Sequence, residues 1–186
     1  MLKELDGRAI KAILFADLHG YSRMDEKSCL EFSRNFYAGV NEEILKKYAD
    51  CINLKNTWGD AIHLILDDVA KAGYLALELQ SWTARFDWAG IGVKTIPQLR
   101  VALHVGVVSK VYDPILEADN YIGRSTSKAA RIEPITAEGQ VFVSGAFAAF
   151  VALRPDSGLA CEYVGTRTLP KGSGELAVYL LSRKEN

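Results

Sequence analysis

The 186-residue sequence predicts an α+β domain in which helices pack on one face of a mostly antiparallel sheet. Three observations carry this expectation. Short, β-branched apolar runs alternate irregularly with two long stretches of helical periodicity, unlike the strict strand–helix repeat of a doubly wound parallel sheet. Two of the runs are separated only by Thr57-Trp58-Gly59-Asp60, a hairpin spacing. No glycine-rich dinucleotide fingerprint or P-loop is present.

Residues 9–16 form the first apolar run, which ends at Asp17 ahead of the polar, glycine-containing stretch 18–23. This reads as a buried strand delivering an aspartate to a loop. Over residues 25–48, Leu30, Phe36, Tyr37, Val40, Ile44, Leu45 and Tyr48 recur at three- and four-residue steps, with Ser22 and Asp25 as start signals. An amphipathic helix follows. Residues 51–56 and 61–66 are the two arms of the hairpin, with Asp60 at its tip and Gly59 to supply the turn. A second amphipathic helix spans about 69–88, carrying Ala72, Leu75, Leu79, Trp82 and Phe86 on one face, and Pro97 closes that unit. Beyond it the pattern gives a strand at 99–108, a helix at 124–132, a strand at 140–144, a helix at 145–153 and strands at 161–165 and 176–181.

The length suits one compact domain, residues 1–186. Net charge is −1, from 22 basic and 23 acidic residues that are interspersed, so no field favours a nucleic acid or an anionic membrane as partner. No apolar stretch approaches the roughly 18 residues of a membrane helix, and the polar start is wrong for a secretion signal. A cytoplasmic location is expected. Cys29, Cys51 and Cys161 match neither a zinc pattern nor a disulfide framework and read as reduced core residues. His19, His63 and His104 are scattered without metal-ligand spacing.

Asp17 and Asp60 stand out because each sits at a strand end or turn. Carboxylates brought together from adjacent strands hold hard cations against triphosphate oxygens. By spacing alone, a helix cap and a turn residue explain them as well. Arg131, preceded by Ser125, Thr126, Ser127 and Lys128, lies on a short polar helix, and a guanidinium there suits phosphate oxygens as well as plain solvent. Lys171 lies in the flexible loop Pro170-Lys171-Gly172-Ser173-Gly174.

Taken in order, residues 15–22 (Phe-Ala-Asp-Leu-His-Gly-Tyr-Ser), 57–60, 100–106, Gly123 with 129–133, Gly139-Gln140 with Val143-Ser144, and Lys171-Gly172 resemble the signature of class III adenylate and guanylate cyclases. The match spans nearly the whole chain. That resemblance implies a ferredoxin-like, palm-like cyclase homology domain which converts a nucleoside triphosphate to a 3′,5′-cyclic nucleotide and pyrophosphate. Asp17 and Asp60 would hold two Mg²⁺ or Mn²⁺ ions, Arg131 would stabilise the transition state, and Lys171 would contact phosphate. It also implies a homodimer with shared sites, the metal aspartates from one chain and the base reader and arginine from the other.

Departures from the family pattern fall on the base-reading positions. Purine cyclases usually have Lys or Glu four residues before the second metal aspartate and Asp or Cys eleven before the arginine; this chain has Asn56 and Asn120. Ser127 replaces the usual Asn four before the arginine. An amide pairs with the acceptor and N–H of uracil or, turned over, with the edge of cytosine, and does not choose between them. Trp58 suits either a core position or the space left by a purine's missing second ring. The runs 56–60 and 129–136 resemble the pyrimidine cyclases of bacterial anti-phage Pycsar systems, which implies cyclic UMP, or else cyclic CMP, read by a separately encoded effector. An adenylate cyclase and a catalytically silent nucleotide-binding pseudocyclase are the alternatives.

Overall fold

The computed structural model describes residues 7–94 and 96–184. Strand β1 (Arg8–His19) runs through its centre. Its alternate residues Ala12, Leu14, Ala16 and Leu18 are buried in the main core, while Ile13 is buried on the opposite face. The strand does not stop at Asp17 as the sequence suggested. Pairing with β4 (Gln98–Asp113) continues to His19 opposite Gln98, and this ladder holds Asp17 directly across from Arg100.

Strands β2 (Ile52–Trp58) and β3 (Ala61–Leu66) form the expected hairpin, with Trp58 paired to Ala61 and only Gly59-Asp60 between them. Gly59 has φ +63°, the left-handed conformation that glycine adopts without strain. The remaining strands are β5 (Ala118–Ile122), β6 (Val141–Ser144), β7 (Leu159–Thr168) and β8 (Glu175–Arg183). The sheet order is β2-β3-β1-β4-β6-β8-β7, antiparallel except for β4 with β6, and β5 pairs with the far end of β4. Strand β5 had no counterpart among the expected elements.

The helical stretch begins as predicted at Asp25, whose Oδ1 accepts the Ser28 N–H at 2.7 Å. It is not one regular α-helix. α-helical Glu26–Glu31 (α1) is followed by π-helical Phe32–Phe36, one α-helical turn Tyr37–Gly39 (α2), π-helical Val40–Ile44 and a 3₁₀ end Leu45–Tyr48. The buried stripe explains this. Phe32, Phe36, Val40 and Ile44 repeat every four residues and all face the core. An α-helix of about 3.6 residues per turn would rotate such a stripe out of register, and the wider π turns take up the difference. Leu30, expected on this face, is 53% exposed, and Phe32 takes the core place.

Helix α3 (Val69–Arg85) is capped by Asp68, whose side chain accepts from the Ala70 and Lys71 N–H groups at 2.8 and 3.0 Å. It ends three residues before the expected 88 because Phe86 turns extended. The Trp88 indole then folds back to donate to the Thr83 carbonyl at 2.9 Å. Gly39 lies against the Trp82 ring, where an added Cβ would come within 2.5 Å, so the two helices touch backbone to ring. Helix α5 (Gly145–Ala152) completes this layer, with Ser144 as its cap.

Helices do not cover one face alone, which corrects the sequence expectation. Helix α4 (Arg124–Ile132) lies on the other side, burying Ala129 with Ile13 and Ile65, and Ile132 with Ala102 and Phe142. The sheet carries a second set of apolar residues that also has to leave water, at roughly 1.5–3 kcal/mol for each large side chain. Cys51 is a core residue, while Cys29 and Cys161 are only partly buried. Among the described residues no helix is long and apolar enough to cross a membrane.

Candidate active site

The β1–β3 register sets the site. Residues 13, 15 and 17 point to the side of the sheet that carries α4, and strand pairing places His63 opposite Phe15 and Asn56 opposite His63 on that same side. Near the end of these strands α4 ends at Glu133, and the Asp17 and Arg100 side chains stay partly open to solvent, at 28% and 22%. There the hairpin tip folds Asp60 toward Asp17.

The Asp60 carboxyl feels the charge of Asp17. Asp60 is pushed up to about 6, first by loss of water and then by the neighbouring Asp17 charge, although the backbone N–H groups of Asp60 and Leu18 oppose the shift. Arg100 supplies the positive charge. Its Nη2 donates to Asp17 Oδ2 at 2.6 Å, and its Nε lies 2.9 Å from Glu133 Oε1, an ion-pair contact without hydrogen-bond alignment. Glu133, at the end of α4, is raised to about 7 by burial; Arg100 opposes this, and Asp17 and Asp60 add to it. Two carboxyl groups, Asp17 and Glu133, therefore flank one guanidinium, with Asp60 beside Asp17.

Arg100 and Glu133 lie inside the runs 100–106 and 129–133, yet nothing in the sequence joined them to Asp17. His63 is a third group of this face. Its ring stacks on Phe15 at 4.3 Å, its Nε2 has no hydrogen-bond partner among the described residues, and burial lowers its pKa to about 4. It is neutral near pH 7.

The remaining residues do not converge on this place within one chain. Asn56 is exposed on the open face of the hairpin. Trp58 is 89% exposed at the tip, so it is neither a core aromatic nor the filler of a pocket in its own chain. Arg131 is half-buried in the last turn of α4, two residues from Glu133. Helical residues two apart do not face each other, and with Glu133 turned to Arg100, Arg131 is turned away. Asn120 lies in β5 opposite Val111, eleven β4 residues from Arg100, which is roughly 35 Å along the strand. It also faces the opposite side of the sheet, its amide donating to Asp113 Oδ2 at 3.2 Å. Ser127 is exposed on α4, and Lys171 is exposed at φ +58° in the β7–β8 turn, toward the same end of the sheet as Asn120.

Among the described residues no group of three His, Cys, Asp or Glu is arranged to hold a metal ion. Two adjacent carboxylates, one forced toward protonation, nonetheless fit a hard divalent cation. Such an ion is commonly held by one or two carboxylates and completes its shell with water and phosphate.

Neither a family model nor a curated protein matches the sequence. Solved structures do match in three dimensions. The guanylate cyclase domain of RhGC from Catenaria anguillulae, solved in complex with GTP, is 17% identical with a TM-score of 0.78, over 95% of this chain and 97% of that one. The adenylyl cyclase CyaB from P. aeruginosa is 15% identical with a TM-score of 0.77, over 96% of each chain. An adenylate cyclase from Trypanosoma brucei, solved in its monomeric state, is 19% identical with a TM-score of 0.75, over 99% and 95%. The fold is that of nucleotide cyclase catalytic domains.

Proposed function

We propose that the chain is a metal-dependent nucleotide cyclase that converts a pyrimidine nucleoside triphosphate, UTP ahead of CTP, to its 3′,5′-cyclic nucleotide and pyrophosphate. The observation that carries this is the Asp17–Asp60 pair, held side by side in a partly buried cluster at one end of the sheet within a cyclase fold. Asp17 and Asp60 hold two Mg²⁺ or Mn²⁺ ions. When bound, these lower the pKa of the ribose 3′-hydroxyl and neutralise the triphosphate. Arg100 keeps Asp17 oriented. Asn56 reads the base edge from the open face, and Trp58 beside it presents a flat apolar surface.

A homodimer completes the site in this reading. Asn56, Asn120, Ser127, Arg131 and Lys171 do not converge on Asp17 in their own chain, so a second copy supplies them: Asn56 and Asn120 to the base, Ser127 to the ribose, Arg131 to the charge developing on the phosphate and Lys171 to the phosphates. The product is a second messenger of anti-phage defence, read by a separate cyclic-nucleotide-binding effector in the cytoplasm.

The test is incubation of the purified protein with Mn²⁺ and each of ATP, GTP, CTP and UTP, with products identified by mass. Cyclic UMP or CMP as main product supports the reading. Cyclic AMP or GMP removes the pyrimidine specificity and leaves a purine cyclase, and no product from any of the four points to a silent pseudocyclase.

A further inference from the structure

Asp60 sits in a two-residue turn, the part of a hairpin with the fewest restraints of its own. Something outside the hairpin has to fix it if its carboxyl is to meet a cation beside Asp17. The Tyr37 hydroxyl is placed to do so. It donates to the Gly59 carbonyl at 2.7 Å, with the Ala61 carbonyl at 3.4 Å, so it grips the residue on each side of Asp60.

We propose that Tyr37 is a positioning residue for Asp60, a strut from the helical layer to the hairpin tip. This rests on the reading of Asp17 and Asp60 as metal ligands. Two further observations support it. Tyr37 opens the single α-helical turn between the two π-helical segments, and π turns re-aim side chains and recur at functional sites. The strut also has a firm base: Tyr37 packs against Phe32 and Phe36 at 5.0 and 6.0 Å between ring centroids, and two residues on, Gly39 abuts Trp82. The phenol thus reaches the tip from the tightest part of the helix layer.

Tyr37→Phe tests this, because it keeps the ring and removes only the hydroxyl. Two quantities are compared with the wild type: amide exchange of residues 57–61 by mass spectrometry, and Mn²⁺ affinity from the paramagnetic resonance of free Mn²⁺ titrated with protein. Loss of one hydrogen bond predicts tip amides exchanging about two- to tenfold faster and Mn²⁺ binding weakened by a similar factor. Exchange in β1 and β4 should be unchanged. Equal Mn²⁺ affinity in the two proteins overturns the inference, whether or not the tip exchanges faster. A wild type that binds no Mn²⁺ overturns the metal-site reading itself, and with it the inference.

Discussion

His104→Gln should make this protein less sensitive to acid. His104 is buried at 6% exposure on β4, and its Nδ1 lies 2.7 Å from the Ser144 hydroxyl, which also accepts the Phe147 N–H at 3.3 Å as the cap of α5. Loss of water, with a smaller push from Lys128, lowers its pKa from 6.5 to about 4. The folded protein therefore keeps His104 neutral at a pH where the unfolded chain has already taken up a proton. Stability is fully present above pH 6.5 and is lost as pH falls toward 4. The difference between the folded and unfolded states corresponds to about 3 kcal/mol, most of it gone by pH 4.5. Glutamine removes the titration while losing about 1 kcal/mol of hydrogen bonding at neutral pH. Urea unfolding at pH 7.5, 6, 5 and 4.5 should show the variant less stable at pH 7.5 and declining by about 2–3 kcal/mol less across the range. Parallel profiles for the two proteins would refute the reasoning.

Asp60→Ala should abolish cyclic product while leaving thermal unfolding within a few degrees of the wild type; retained activity would remove Asp60 from the site. Arg131→Ala should lower kcat far more than it raises KM, whereas an affinity loss with turnover preserved would make it a ground-state phosphate contact. Mixed in equal amounts, these two inactive variants should regain about a quarter of wild-type activity, since half of a statistical mixture is heterodimer with one intact site of two; no recovery would place both residues in one chain's site. Gly39→Ala, with its Cβ driven to 2.5 Å from the Trp82 ring, should cost about 1–3 kcal/mol in urea unfolding, and an unchanged midpoint would show that the two helices can separate freely.

The strands were legible where burial wrote them as apolar runs. β1, the β2–β3 hairpin and the core of β4 follow directly from period-two or continuous apolar patterns. β5 was not, because Ala118-Asp119-Asn120-Tyr121-Ile122 buries only Tyr121 and draws its stability from pairing with β4. The π-helical segments hid behind a four-residue apolar step that also resembles an ordinary helix. In the site, Asp17 and Asp60 could be named from their turn positions and the family resemblance. Their partners could not: Arg100 meets Asp17 across 83 residues through strand register and Glu133 across 33 through the packing of the α4 end on the sheet. Trp58 shows the converse, since an aromatic residue beside a turn looked like packing and proved to be solvent-facing.

The length of β4 has a consequence for how activity would respond to concentration. One unbroken strand of 16 residues, about 50 Å, separates the carboxylate end of the sheet from the end that bears Asn120. A pleated strand that is laddered along its whole length, to β1 over residues 98–109 and to β5 over 109–113, has no hinge, so no bending of a single molecule brings those two ends around one substrate. If both are needed, turnover per molecule vanishes on dilution below the dissociation constant of the pair and rises with the amount of protein present. The gene's expression level would then act as a switch in its own right.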